Sequence, residues 1–293
     1  MSEAENTQLQ VPKILYETRQ PFDLTENLQA RLEELDLVEA IKHVEEYGYG
    51  YIYDAVTEEF TERLRETIMR IANSGEGAIG LDNGANMLLA KDPIFEEAVL
   101  NSKVLAIVEV LCGKGALLSQ VAGSVKQKSP PDQPSVGGLH ADQNWMPAPF
   151  PVHNQMVTFC WACDDFSAEG GSTKVVPKSH LLRRHPNAEE VAEETDIVST
   201  ECPAGSVVFW DGSAWHSGGG LRTIDGERVV LHVTYSRLAL RPVESYDFLG
   251  EDWLADRPYE MRVLLGREDF LATPDGGFAH GEKLVRTFSW SKE

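Results

Sequence analysis

The chain has 293 residues, of which 42% are hydrophobic, and it carries a formal net charge of −21. This length and apolar fraction suit one large globular domain over residues 1–293. The excess of 47 acidic over 26 basic residues argues against a nucleic-acid partner, because phosphate binding needs clustered lysine and arginine. No apolar run approaches the roughly 20 residues of a membrane span, and residues 1–10 lack the pattern of a secretory signal. We therefore expect a cytoplasmic protein without a membrane partner.

The first half of the chain predicts a loose arm followed by helices. Residues 1–20 predict the arm, and apolar residues then recur at helical spacing, with an aromatic strand expected over 49–53. The helix boundaries that the sequence marks are a capping box at Asp23 and Glu26, a stop at Gly48, and N-caps at Thr57 and at Asp92, ahead of Pro93. The helix that starts at Asp92 is expected to run to Gly113.

The second half predicts strands. The segments that read as strands are 117–128, 155–163, 173–176, 206–210 and 229–237. They do not alternate with helices, so a doubly wound sheet is disfavoured. Helices followed by many short strands indicate an α+β protein with a mainly β core, a two-sheet jelly roll over residues 115–240. Residues 244–293 are expected to pack back on that core as a tail.

Among the four cysteines, Cys160 and Cys163 form a C-x-x-C, which is also found in redox pairs and zinc sites. Their segment reads as a buried strand, on which positions three apart face opposite sides. We therefore interpret them as small core residues.

His140 and Asp142 stand two residues apart on an extended segment, so their side chains point the same way. They can then share one cation, and a third ligand must come from a distant strand. His216 is the best candidate, since it follows the apolar strand over 207–210 and precedes a glycine-rich turn. Two histidines and one carboxylate on one face of an octahedron leave three positions open, which suits iron(II) and oxygen chemistry.

An arginine after the distal histidine would hold a dicarboxylate cosubstrate, because a guanidinium donates two parallel hydrogen bonds to a carboxylate. Arg228 starts the strand over 229–237 and is the preferred residue. Arg222 competes with it, but lies in the turn and is expected to face solvent. Of the other histidines, five fall in polar or charged segments. His232 is in a strand, where a hydrogen-bonded core histidine is the default reading.

In their order and spacing, these segments resemble the phytanoyl-CoA dioxygenase family of iron(II)- and 2-oxoglutarate-dependent oxygenases, over roughly residues 48–235. The pieces that carry the resemblance are His140-Ala-Asp142, Trp161-Ala-Cys-Asp-Asp-Phe166, Gly170-Gly-Ser-Thr-Lys-Val-Val-Pro-Lys-Ser-His180, Gly205-Ser-Val-Val-Phe-Trp-Asp211, and His216 with Arg228. The resemblance implies a double-stranded β-helix, a cupin-like jelly roll, supported by N-terminal helices.

The resemblance also implies roles for particular residues. Iron would bind to His140, Asp142 and His216, and Arg228 would hold the distal carboxylate of 2-oxoglutarate. The other positions that resemble cosubstrate-lining ones are Gln120, Trp161 and Thr173; for Trp161 and Thr173, plain core packing is an equal alternative. Two departures concern the turn at Lys178, where the family has glycine, and the segment after His216, which lacks the asparagine often found there. Since Asp142 is present, halogenation is disfavoured.

The resulting hypothesis is an oxygenase that oxidises an unactivated C–H bond of a small-molecule metabolite with O2 and releases succinate and CO2. The alternatives are a non-catalytic jelly-roll binding protein with a vestigial metal site and a zinc-dependent hydrolase, which would need no downstream arginine. The acidic surface favours a neutral or cationic metabolite over a CoA thioester. Apolar residues after the H-x-D are expected either to wall a pocket for an apolar substrate or to anchor an ordinary loop: Trp145, Met146, Pro147, Pro149 and Phe150.

Overall fold

The computed structural model of the chain describes residues 21–74, 85–113, 115–132, 138–143, 146–193, 196–218 and 220–267. The predicted arm over 1–20, Trp145 and the last part of the predicted tail lie outside these ranges. The extent of a single domain over 1–293 stays a prediction.

Five helices and one strand precede the main β region. Their bounds are α1 Glu26–Glu34, α2 Val38–Tyr47, β1 Tyr49–Ile52, α3 Glu58–Ser74, α4 Pro93–Val99 and α5 Ser102–Cys112. The predicted helix ends at Gly48, Thr57 and Asp92 are confirmed, because Gly48 has a left-handed φ of 86° and the other two side chains accept backbone N–H groups of the first helical turn.

Two details of the predicted helices are wrong. The cap of α1 is Thr25, whose hydroxyl accepts the Leu28 N–H, rather than the expected capping box at Asp23. The helix expected from Asp92 to Gly113 is two helices, because the side chain of Asn101 accepts the N–H groups of Lys103 and Val104 and starts α5 afresh. The apolar periodicity continues across this break, which is why the sequence pattern did not reveal it.

The strands form two antiparallel sheets. The remaining elements are β2 Leu117–Lys126, β3 Met156–Ala162, β4 Lys174–Val175, α6 Ala188–Glu193, β5 Val198–Ser199, β6 Val207–Asp211, β7 His216–Ser217, β8 Arg228–Ser236, α7 Glu251–Leu254 and α8 Tyr259–Leu264. The five-stranded sheet has the order β1-β6-β3-β8-β2 and the three-stranded sheet the order β5-β4-β7. The five predicted strands are confirmed as β2, β3, β4, β6 and β8, whereas the two-residue strands β5 and β7 were not predicted.

Each strand of the larger sheet has one face toward the helices and one toward the smaller sheet. In β3, Phe159 and Trp161 belong to the core packed against the helices, and Cys160 belongs to a second cluster with Phe166 and Cys202. This alternation follows from the two-residue period of a strand. The architecture is a double-stranded β-helix supported by N-terminal helices, as the sequence predicted.

The cysteines are core residues, as interpreted. All four are free and buried. Cys160 lies in the cluster between the sheets and Cys163 in the helix-facing core, so the two sulfur atoms diverge as a strand requires.

The segment after β8 packs back on the core as far as it is described. Met261, Val263 and Leu264 of α8 are buried in the helix-facing core. Among the described residues, no helix is both long and apolar enough to cross a bilayer.

Candidate metal centre

His140 and His216 are brought together by the backbone. Each donates its N–H to the carbonyl oxygen of the other, at 2.9 Å in both directions, which makes an isolated antiparallel bridge. Their imidazole rings lie 4.4 Å apart. Asp142 follows His140 by two residues and therefore points to the same side of the chain.

The three side chains converge on one point. Asp142 Oδ1 lies 3.4 Å from His216 Nε2 and 3.8 Å from His140 Nε2. One ligand atom from each residue lies within 4.8 Å of the other two. Among the described residues, these three form a group that could hold a metal ion. Two imidazole nitrogens and one carboxylate oxygen are the donors that non-haem iron(II) takes in a facial triad, so the residues fit such an ion.

The atoms that face away from this point are held by neighbouring groups. Asp142 Oδ2 accepts hydrogen bonds from Thr158 Oγ1 at 2.8 Å and from Trp210 Nε1 at 3.0 Å. The Nδ1 atoms of the two histidines face backbone carbonyls, of Gly138 for His140 and of Ala214 for His216. These partners place the ring proton on Nδ1 and leave each Nε2 lone pair free for a metal.

The protonation of the group also suits a cation. Burial alone would raise the pKa of Asp142, but the charge and hydrogen bond of His216, with His140 and Thr158, outweigh it and lower that pKa far below its ordinary value. Burial and the neighbouring His216 lower the pKa of His140. Burial opposes the charged form of His216, yet Asp142 raises its pKa. The carboxylate is thus ionised, and a metal would replace the proton that His216 shares with it.

The centre is open on one side. The side chain of His140 is 41% exposed, whereas those of Asp142 and His216 are 18% and 6% exposed. Ligands would therefore approach past His140. A separate cavity of about 340 Å³ lies near Asn154 and Arg237, and none of the three residues lines it.

Arg228 is a buried cation at the start of β8. Its guanidinium donates to the carbonyl of Gly171 and lies 5.3 Å from the ring centre of Phe166, but its Nε has no hydrogen-bond partner. Within the described residues it forms no ion pair with Asp or Glu. Burial lowers its pKa, but an arginine stays charged. A buried charge of this kind needs an anion, and a carboxylate-bearing cosubstrate fits it.

Arg222 has a different role from the one expected. It is buried rather than exposed to solvent, so that expectation is wrong. Its guanidinium donates to the carbonyls of Gly170, Asp225 and Gly226 at 2.7–3.3 Å, and it holds the turn before β8 closed.

The other predicted cosubstrate positions divide between the two faces of the large sheet. Gln120 pairs with Thr234, and Thr234 pairs with Thr158, so Gln120 lies on the same face as the support of Asp142. Thr173 is buried beside Cys160, 4.0 Å from its sulfur. Trp161, in contrast, lies in the helix-facing core, 6.1 Å from the ring centre of Phe60. For Trp161 the structure favours core packing, the equal alternative to a cosubstrate contact, because its strand position turns it away from the pocket.

The apolar residues after Asp142 anchor a loop where they are described. Phe150 is fully buried in a small cluster with Leu139, Ala141 and Trp215, against which Met146 packs. These two residues therefore do not support a substrate wall.

Two supporting residues were missed by the sequence reasoning. Thr158 and Trp210 pair across β3 and β6 and share the pocket face. Side chains alternate between the two faces of each strand, and this pattern could have identified both residues. To use it, one must know which of the two alternating sets faces the pocket.

The fold and the donor set define a non-haem iron oxygenase built on a double-stranded β-helix. The phytanoyl-CoA dioxygenase (PhyH) family model matches residues 44–229, and the chain belongs to this family of iron- and 2-oxoglutarate-dependent enzymes.

Curated relatives and solved structures agree with this assignment. The chain is 27% identical to Dioxygenase af480 of Aspergillus fumigatus over 79% of this chain and 74% of that protein. It is 26% identical to the uncharacterized protein Rv1501 of Mycobacterium tuberculosis over 75% and 82%. HygX of Streptomyces hygroscopicus, solved with nickel and 2-oxoglutarate bound, superposes with a TM-score of 0.57 at 18% identity, covering 74% of this chain and 93% of HygX. The epimerase SnoN from nogalamycin biosynthesis gives 0.56 at 20% identity, covering 75% and 89%.

Proposed function

We propose that this chain binds Fe(II) on His140, Asp142 and His216 and oxidises an unactivated C–H bond of a small-molecule metabolite. The proposal rests on two observations together: the geometry of the triad, and the buried Arg228, which has no acidic partner among the described residues. A zinc hydrolase would use the triad but would have no use for the arginine. The oxygenase reaction uses both.

The protein's own part in the reaction is to hold and orient. When bound, iron would activate O2 with electrons from 2-oxoglutarate, which would be converted to succinate and CO2 while the iron stays in the protein. The triad occupies one face of the ion and leaves positions free for ligands. Arg228 would hold the distal carboxylate of 2-oxoglutarate, and Gln120 and Thr173 are proposed to line the same pocket.

The inner cluster of the β-helix would keep water from the reacting groups. Its buried members on the strands are Cys160, Ala162, Val208, Trp210 and Val230. Excluding water strengthens the electrostatic contacts inside the site and limits side reactions. This cluster therefore gives the pocket an apolar floor beside the polar side chains that line it or support the triad.

The substrate class follows from charge. With a net charge of −21, the surface repels polyanions. A neutral or cationic metabolite is therefore proposed in preference to a CoA thioester. Hydroxylation is the simplest outcome, and related two-electron oxidations of the same C–H bond belong to the proposal.

The test needs no substrate. Iron(II) and 2-oxoglutarate are added to the protein under argon, and we expect the weak visible charge-transfer band of the chelate. Admission of O2 should then release succinate slowly. His216→Ala should abolish both signals, whereas His153→Ala, a loop histidine outside the triad, should retain them. If the wild-type protein shows neither the band nor succinate, the proposal is wrong. Hydrolytic activity of the zinc-loaded protein would favour the hydrolase instead.

A further inference from the structure

His232 is an unusual residue in the centre of the large sheet. Strand β8 lies between β3 and β2, and eight of its nine residues are buried; His232 is the partly exposed one. A residue in an interior strand can reach solvent only through a cavity on one face of the sheet. His232 therefore opens into a space inside the β-helix.

The neighbouring strand shows where that space runs. In β2, Gln120, Ala122 and Ser124 are partly exposed, and the residues between them are buried. Ala122 is the Cα partner of His232, and the other two flank it on the same face. The pocket face of β2 and β8 is therefore partly accessible at these positions.

Small neighbouring residues leave room around the imidazole of His232. Its two cross-strand neighbours are small, Ala122 on one side and Cys160 on the other. None of the described residues hydrogen-bonds to its ring nitrogens. A ligand that enters the space beside His232 could therefore reach its ring nitrogens. The sequence-based reading of His232 as a hydrogen-bonded core histidine is therefore wrong.

The position of His232 along β8 selects the ligand atom. On the same face, Arg228 lies four residues before it and Thr234 two residues after it, about 13 Å and about 7 Å along the strand. Thr234 contacts Thr158, which holds Asp142. His232 therefore lies along β8 between Arg228 and the threonine pair that supports Asp142.

The charge state of His232 supports a donor role. Burial and the charge of Arg228 lower its pKa to about 4, so the ring is neutral at physiological pH and carries one N–H. A neutral donor can bind a carboxylate without adding a third positive charge to the pocket.

We infer that His232 donates a hydrogen bond to the 1-carboxylate of 2-oxoglutarate, the end that lies at the metal, while Arg228 holds the distal end. This inference rests on the proposed function. It makes His232 a cosubstrate-positioning residue that acts at the opposite end of the ligand from the arginine.

The test compares two ligands and two sites. The ligands are 2-oxoglutarate and 2-oxopentanoate, which has the same chain length but no distal carboxylate; their dissociation constants are measured from the charge-transfer band under argon. His232→Leu should weaken both ligands by a similar factor, about tenfold or more, since a hydrogen bond to a charged group is lost. Arg228→Met should weaken 2-oxoglutarate alone. His232→Gln, which restores an N–H donor, should recover most of the loss.

Several outcomes would overturn the inference. One is His232→Leu with an unchanged affinity for 2-oxoglutarate; another is an effect on 2-oxoglutarate but none on 2-oxopentanoate. Cobalt(II) titration checks that each variant still folds and binds metal. If the leucine variant does not fold, wild-type protein loaded with Zn(II) gives a second measurement. A slowly exchanging imidazole N–H signal should appear in its proton NMR spectrum on adding 2-oxoglutarate and be missing in His232→Gln; its absence from the wild type would contradict the contact. If the wild type shows no band at all, the proposed function fails rather than the assignment of His232.

Discussion

Trp210 donates its indole N–H to Asp142 Oδ2 across 3.0 Å, and its ring centre lies 4.6 Å from that of His216. The tryptophan thus touches two of the three proposed ligands. It turns the carboxylate so that Oδ1, and not Oδ2, faces the histidines. Residues that orient metal ligands in this way typically contribute one to two orders of magnitude to metal affinity.

Replacing this tryptophan should therefore weaken the metal site. We expect Trp210→Phe to lower the affinity for Fe(II) or Co(II) about tenfold to a hundredfold, because the carboxylate loses a donor while most of the aromatic bulk stays. Anaerobic calorimetric titration measures this directly. The matched control is Trp215→Phe, which removes an indole that donates to the Arg184 carbonyl instead. Equal affinities in the two variants would contradict the role of Trp210.

Thr158 and Thr234 provide a graded comparison. Thr158 Oγ1 contacts both Asp142 and Thr234 Oγ1, at 2.8 and 3.0 Å. Thr158→Val should lower metal affinity by about tenfold, because it removes a direct partner of the carboxylate. Thr234→Val should have a smaller effect, since it reaches Asp142 only through Thr158. If Thr234→Val lowered the metal affinity more than Thr158→Val did, the direct contact of Thr158 with the carboxylate would be contradicted.

The fold was largely predictable from the sequence because its signals are local. The residues that end or cap helices, Gly48, Thr57 and Asp92, act on the backbone of a single helical turn. The long strands are recognisable from their apolar composition. Strands β5 and β7 could not be predicted in this way, since two residues are too few to show the alternating pattern of a strand. They exist because β4 pairs with each of them.

The site was predictable only where spacing alone sets direction. His140 and Asp142 share a side for any extended backbone, so their convergence could be foreseen. Whether Trp161 faces the pocket depends on which face of β3 lines it, because a shift of one residue along a strand turns every side chain to the opposite face. The interpretation of His232 failed for a related reason: its lack of a partner among the described residues depends on the small residues of two neighbouring strands, which are distant in sequence.

Arg222, in the turn before β8, and Arg228, at its start, should separate binding from stability. Arg228→Met should weaken 2-oxoglutarate about a hundredfold, because a buried carboxylate loses its cation. The metal-free protein should be no less stable, since an unpaired buried charge has been removed. Arg222→Met should instead lower the free energy of unfolding by about 2 kcal/mol or more, because three backbone carbonyls lose their donor. Urea unfolding and the charge-transfer titration measure the two effects. If both variants lost 2-oxoglutarate affinity and stability together, the separate roles of the two arginines would be contradicted.

Asp211 should make stability depend on pH. Burial raises its pKa to about 6, against opposing contributions from the Ser213 N–H and Arg237. The unfolded carboxyl releases its proton near the ordinary value of 3.8, so between these values the folded state holds more protons. The stabilisation is complete below about pH 4 and is lost as the pH rises through about 6.

Asp211→Asn should therefore remove this dependence. Its amide oxygen can still accept the Ser213 N–H, as Asp211 does at 2.7 Å. Relative to the wild type, the variant should gain up to about 3 kcal/mol between pH 4 and pH 8. Urea unfolding of the metal-free protein at both ends of this range checks it. A difference between variant and wild type that does not change with pH would show that Asp211 ionises normally.

Glu244 joins the described part of the tail to the β-helix. Its carboxylate is buried and accepts the N–H groups of Met87 and Val121, each at 2.8 Å, and the hydroxyl of Tyr246 at 2.5 Å. Val121 lies just past the irregularity in β2 between Leu118 and Gln120. The carboxylate therefore accepts an N–H of the strand that carries Gln120, at the residue next to it.

The three bonds predict a ranking of variants. Glu244→Ala should lower the free energy of unfolding by about 3 kcal/mol, because two buried N–H groups lose their acceptor. Glu244→Gln should cost less than the alanine variant, since one oxygen still accepts while the amide NH2 faces a donor. Tyr246→Phe should cost least, about 1 kcal/mol, because the carboxylate keeps both N–H groups. Urea unfolding gives the order. If Glu244→Ala were as stable as the wild type, the contact of Glu244 with Met87 and Val121 would not stabilise the packing of the tail. The conformation of β2 would then depend on its pairing with β8 alone.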